Sequence, residues 1–159
     1  MSNSDPLSHA RTRAPIALDD CGMALATDLI GDRWTLLILR EALYGVVRYD
    51  DMRADLGAPR SMLTDRLSKL VDTGLMTRQP YQEPGSRTRQ AYVLTPSGKA
   101  LALPLLALME WSDEHVRTSP RTVEMIDTET GQPVSIRPVT SQGEVIPLTR
   151  VTLKPVRST

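Results

Sequence analysis

The sequence predicts an α+β fold: four short helices around one apolar core, then a β-hairpin, then a longer closing helix. Three observations carry this expectation. Apolar residues recur at helical spacing in segments between Asp19 and Val71, glycines punctuate these segments at Gly31, Gly45, Gly57 and Gly74, and two strand-like stretches flank Pro84-Gly85-Ser86.

The elements follow in order. Residues 1–17 mix Ser, Pro, Asp, His and Arg without apolar period, a composition that offers too little burial to offset ordering, so a flexible arm is expected. Met23, Leu25, Ala26, Leu29 and Ile30 suit a first helix stopped at Gly31. Trp34, Leu36, Leu37, Ile38, Leu39 and Leu43 suit a second, largely buried one closed by Gly45. Asp50 and Asp51 open a third, carrying Met52 and Leu56, which the Gly57-Ala58-Pro59 turn breaks. In the fourth, Leu63, Leu67 and Leu70 share one face, with Val71 beside them, and Gly74 supplies the stop. Leu75 to Gln79 and Gln90 to Leu94 read as the strands of a hairpin around a long turn. Thr95-Pro96 then places a capping hydroxyl before a proline, opening a final helix to about Val116 that Pro104 should kink. Beyond it, Val123 and Met125, Val134 and Ile136, Val145, and Val151 and Leu153 suggest three or four short strands between turns at Thr130-Gly131 and Gln142-Gly143. The expected organisation is an arm at 1–17, a principal domain at 18–117 and a small β-rich extension at 118–159, without internal repeats.

Composition narrows the function. The 159 residues fit one domain with an appendage, and 19 basic residues balance 19 acidic ones, so the whole chain carries no excess charge to attract a polyanion. Between Arg33 and Lys99, however, eleven basic residues face seven acidic ones. The lone Cys21 excludes an intramolecular disulfide and a cysteine-based zinc site. With no apolar signal core and no run of membrane-spanning length, a cytoplasmic protein without a membrane partner is expected.

Helix, glycine-containing turn, helix and hairpin is the order of a winged helix-turn-helix, here with a long C-terminal helix and the β-rich extension after it. An α-helix fits the major groove, and residues near its start reach base edges. Arg60, Ser61, Thr64 and Asp65 hold that position opposite Leu63 and Leu67. Arg can bond guanine twice, Thr can bond a base or touch a thymine methyl, and Asp can accept from cytosine. Arg87 and Arg89 flank the hairpin tip, and with Arg33, Arg48 and Arg66 they are candidates for backbone phosphates. The plain alternative is that these are solvated surface charges, with Arg33 and Arg48 paired to Asp32 or Asp50.

At these residues the chain resembles the HxlR family of bacterial regulators over roughly Asp20 to Val116. The resemblance rests on Asp20-Cys21-Gly22, the Ile30 to Arg40 segment containing Gly31-Asp32-Arg33-Trp34-Thr35, and Arg48-Tyr49-Asp50-Asp51-Met52. Further pieces are Met62-Leu63-Thr64-Asp65-Arg66-Leu67, Leu70 to Leu75, Tyr92 to Lys99 and Trp111. It implies a homodimer whose first and last helices pack across a two-fold axis and present two recognition helices to a palindromic operator on double-stranded DNA. It also gives content to Cys21 as a sensor of electrophiles or oxidants, because some similar regulators sense through a cysteine at this position. The field at the start of a helix lowers a thiol pKa, although a lone cysteine is commonly just a small apolar residue. One departure stands out: Pro59 occupies the place where members usually have a serine or similar cap.

Trp34 among leucines reads as core, and His9 and His115 stand without metal-ligand partners. No nucleophile with its base, phosphate loop or paired carboxylates is recognisable, so neither enzymatic activity nor a metal or other cofactor is expected. The expected function is sequence-specific DNA binding that regulates transcription, as a repressor, with a small-molecule effector or oxidant as a further partner. A winged-helix protein-interaction module that does not bind DNA is the alternative.

Overall fold

The computed structural model describes residues 13–156. They form helices α1 (Gly22–Ile30), α2 (Arg33–Leu43), α3 (Tyr49–Leu56) and α4 (Arg60–Asp72), strands β1 (Met76–Tyr81) and β2 (Arg89–Leu94), and helices α5 (Pro96–Ala100) and α6 (Ala102–His115). Most of the expected arm, including His9, lies outside the described residues.

Local chemistry explains the helix boundaries. Asp32 caps α2, its carboxylate accepting from the backbone N–H groups of Trp34 and Thr35 at 3.1 Å each. Gly57, at φ +59°, ends α3 in the left-handed region and starts the three-residue turn into α4. α4 closes with paired bonds, Leu75 N–H to Leu70 C=O at 2.9 Å and Gly74 N–H to Val71 C=O at 3.0 Å, around a left-handed Gly74. Burial of both Leu70 and Leu75 adds the apolar contact that accompanies this motif.

The core gathers Ile38 and Leu39 from α2, Met52 from α3, Leu63, Leu67 and Leu70 from α4, and Leu75, Met76 and Leu94 from the hairpin. Burying each α4 leucine contributes on the order of 2 kcal/mol, which fixes the rotation of this helix about its axis. Its opposite face is thereby turned outward. β1 and β2 pair antiparallel from Met76 with Leu94 to Tyr81 with Arg89. The segment before α3 joins their edge, Tyr92 N–H donating to Val47 C=O at 2.7 Å and Arg48 bridging Ala91. The hairpin is therefore tied to the start of α3.

Two expectations are corrected. The single closing helix bent at Pro104 is two helices interrupted at Leu101, with Pro104 the third residue of α6. N–H groups in a first turn have no intrahelical acceptor, so a restart places the proline where its missing donor is harmless. The extension, expected to hold three or four strands, has no continuous strand among the described residues after His115. It has single bridges, Ile126 with Pro133 and Val139 with Val145, and a helical turn at Leu148–Arg150. Pro133, Pro138 and Pro147 remove donors where ladders would need them. The extension rests on α6 through Glu110, whose carboxylate accepts from the Ile136 N–H and from Arg137, each at 3.0 Å.

Neither α1 nor α6 buries a residue fully within one chain. Met23 is 73% exposed, Leu103 63% and Trp111 54%. Among the described residues no helix is long and apolar enough to cross a membrane.

Candidate nucleic-acid interface

The packed leucines of α4 leave Arg60, Ser61, Thr64 and Asp65 exposed along its first turns. The four residues expected to read bases thus share one outward surface. Pro59 contributes no side-chain cap to this helix. The start of α3 supplies a tie instead: the Tyr49 hydroxyl donates to the Arg60 carbonyl at 3.0 Å and lies 3.0 Å from the Thr64 hydroxyl. Tyr49 stands in the Arg48-Tyr49-Asp50-Asp51-Met52 segment, and its partners lie 11 and 15 positions on, across the turn.

Arg48 and Asp50, on either side of Tyr49, hold the hairpin. Arg48 donates to Glu83 at 2.6 Å and lies 4.8 Å from the centre of the Tyr81 ring, and Arg89 donates to Asp50 at 3.0 Å. The first three residues around the α3 start therefore orient both the reading helix and the basic hairpin. Arg66 is half-buried, bonded to Asp32 at 3.0 Å and to Asp65 at 2.6 Å. Three of the five expected phosphate contacts, Arg48, Arg66 and Arg89, are thus ion-paired with carboxylates of the same chain. Arg87 at the hairpin and Arg33 at the start of α2 are exposed and make no ion pair among the described residues, Arg33 lying 5.5 Å from the Trp34 ring centre. Arg60 likewise makes none there.

Asp32 was expected only as a partner for Arg33; it joins two helices instead. Burial would raise its carboxyl pKa, but hydrogen bonds from the Thr35 hydroxyl and amide, and the bond and charge of Arg66, outweigh burial and hold it below the ordinary carboxylate value. Its ionised form is thus favoured while it caps α2 and steadies α4. Cys21 is half-buried at the start of α1, where its side chain makes no capping hydrogen bond. His115 stacks edge-on with Trp111 at 5.8 Å, and among the described residues no cluster of three or more His, Cys, Asp or Glu could hold a metal.

Residues 29–134 match the model of the HxlR-like helix-turn-helix family. Mb3122 of Mycobacterium bovis, an uncharacterized HTH-type transcriptional regulator, is 45% identical over 91 residues, which cover 57% of this chain and 56% of that protein. The match spans little more than half the length of that relative. Among solved structures, the candidate transcription factor PA1607 aligns with a TM-score of 0.74 and 29% identity over 85% of this chain and 94% of its own. A second, PA1374 of Pseudomonas aeruginosa, aligns with a TM-score of 0.60 and 31% identity over 87% and 94%. Both alignments are longer than the chain up to residue 117, so both take in part of the extension.

Proposed function

The chain belongs to the HxlR-like helix-turn-helix family, and from that premise we propose that it is a transcriptional regulator that binds specific double-stranded DNA as a homodimer. The observation that carries the proposal is the exposed row Arg60, Ser61, Thr64 and Asp65 on a helix whose other face is locked in the core, beside a basic hairpin. α4 enters the major groove and reads bases, while Arg87 and Arg33 anchor phosphates. Arg48, Arg66 and Arg89 reach phosphates only by exchanging their carboxylate partners.

The unburied apolar residues of α1 and α6, including Met23, Leu103 and Trp111, support pairing of these helices with those of a second copy. Such a two-fold pair presents two α4 helices to a palindromic operator with half-sites a helical turn or a multiple apart. Bound over a promoter, the dimer represses by occupancy. In this reading Cys21, at the start of α1, couples oxidation or alkylation to the dimer.

Footprinting the protein on DNA upstream of its own gene, followed by titrations of variants, tests the proposal. Arg60→Ala should relax base preference at one position per half-site, losing about 1–3 kcal/mol on operator and little on scrambled DNA. Arg87→Ala should weaken binding to all sequences and flatten the salt dependence by about one unit per lost contact. A change of base preference in the Arg87 variant, without one in the Arg60 variant, would reverse the assignment of reading and anchoring. A protected partner protein and no DNA site at any salt would favour the interaction-module reading, to which the paired arginines lend support.

A further inference from the structure

We infer that Tyr49 is a specificity-determining residue: its oxygen accepts a hydrogen bond from the Thr64 hydroxyl, so that Thr64 faces DNA as a hydrogen-bond acceptor and a methyl group but not as a donor. The inference deepens the DNA-binding reading and rests on it. It follows from counting protons. A phenol has one O–H, and the Arg60 carbonyl, 3.0 Å from the Tyr49 oxygen, can only accept, so that proton lies between them. Two oxygens at this distance without a proton would repel. The Tyr49 oxygen is then left with lone pairs toward Thr64, also at 3.0 Å, and the Thr64 hydroxyl must supply the proton of that contact.

Thr64 is exposed on the face of α4 assigned to bases, so what remains of it matters for recognition. Its oxygen can accept from the amino group of adenine, and its methyl can touch the methyl of thymine, so an A·T pair satisfies both. Guanine offers the major groove only the acceptors N7 and O6, which a hydroxyl without a free proton cannot bond. Guanine beneath Thr64 therefore faces lone pair against lone pair. The same tie to the Arg60 carbonyl secures the first turn of a helix that Pro59 leaves uncapped, so Tyr49 acts through Thr64 as a positioning residue.

The experiment measures affinity for operator DNA carrying each base pair at the position whose preference Thr64→Ala abolishes. Wild type should favour A·T over guanine there by about fivefold or more. Tyr49→Phe frees the Thr64 proton and should reduce that preference to about twofold or less, a larger change than at any other position. In a Thr64→Val background, which keeps a methyl and has no hydroxyl, Tyr49→Phe should change nothing at this pair. Thr64→Val alone removes the opposing lone pairs and should bind guanine at this pair no worse than wild type, and this holds as a test if the phenylalanine variant does not fold. An unaltered preference in Tyr49→Phe, a uniform loss across all sequences that persists with Thr64→Val, or a wild-type guanine preference abolished by Thr64→Val would each overturn the inference. Wild type that binds no DNA sequence would overturn the functional reading itself, whereas normal operator binding with any of those results would overturn only the role of Tyr49.

Discussion

Asp32→Ala should destabilise the fold by about 2–3 kcal/mol, because one carboxylate serves three purposes. It caps α2 through the amides of Trp34 and Thr35, and losing such a cap costs about 1 kcal/mol. It accepts from the Thr35 hydroxyl on a residue only 1% exposed, and an orphaned buried hydroxyl costs roughly 1–3 kcal/mol. The bond to Arg66, between groups each about one-third exposed, adds at most about 0.5–1 kcal/mol after screening. These terms overlap in one small network, so their simple sum is an upper bound. Urea unfolding at neutral pH measures the loss. Asp32→Asn retains the capping oxygen and should cost about half as much. Because the folded-state carboxyl titrates below its ordinary value, its stabilisation is complete above the carboxylate range and is lost as pH falls through it. The wild-type urea midpoint should therefore decline in acid more steeply than that of Asp32→Asn. A loss below about 0.5 kcal/mol for the alanine variant, or no coupling to Arg66→Ala in a double-mutant cycle, would refute the claim that Asp32 joins α2 to α4.

Gly98→Ala should cost about 2–3 kcal/mol in chemical denaturation, since a Cβ there would stand 2.0 Å from the Leu75 carbonyl oxygen and backbone must move; near-neutrality would contradict that packing. Glu110 is held below its ordinary value by the Ile136 amide first, against a smaller burial effect, with help from Arg137, so the extension should stay docked above the carboxylate range and loosen as pH falls through it. The Ile136 amide proton shift followed against pH should show this titration in wild type and lose it in Glu110→Gln; a flat wild-type curve would count against the docking contact. Glu83→Gln releases Arg48 from its partner and should raise affinity for scrambled DNA by about two- to fivefold, and a decrease in gel-shift titrations would show that the pair supports the hairpin instead. Alkylation of Cys21 should weaken operator binding, and Cys21→Ser should remove the response; equal responses in both proteins would reduce this cysteine to packing.

The helices were legible because their signals are local. Leu63, Leu67 and Leu70 declare a buried face by spacing alone, and Gly57 and Gly74 declare the turns on either side of α4. The tail misled because Val134, Ile136 and Val145 have strand-forming character, while the ladder they need is interrupted by Pro133, Pro138 and Pro147. Pro104 was expected only to kink one continuous helix, whereas the helix breaks at Leu101 and restarts at Ala102, after α5, which Thr95 pins to the Gly74 carbonyl at 2.7 Å. The arginines near DNA were found by charge, yet their carboxylate partners lie 35 and 39 positions away for Arg48 with Glu83 and Arg89 with Asp50, and sequence spacing does not reveal such pairs. Tyr49 escaped for the same reason: its phenol acts on Arg60 and Thr64, across the turn.

Selection of duplexes from a random pool by the purified protein, followed by titration of the selected site and its scrambled version across salt concentrations, tests sequence-specific DNA binding itself. One two-fold symmetric sequence should be enriched, with half-sites about one helical turn or a multiple apart, and bound at least about a thousandfold more tightly than its scramble. Affinity for both should fall linearly on logarithmic axes as salt rises. Equal affinity for selected and scrambled duplexes at every salt concentration, with the protein folded and dimeric, would contradict sequence-specific binding.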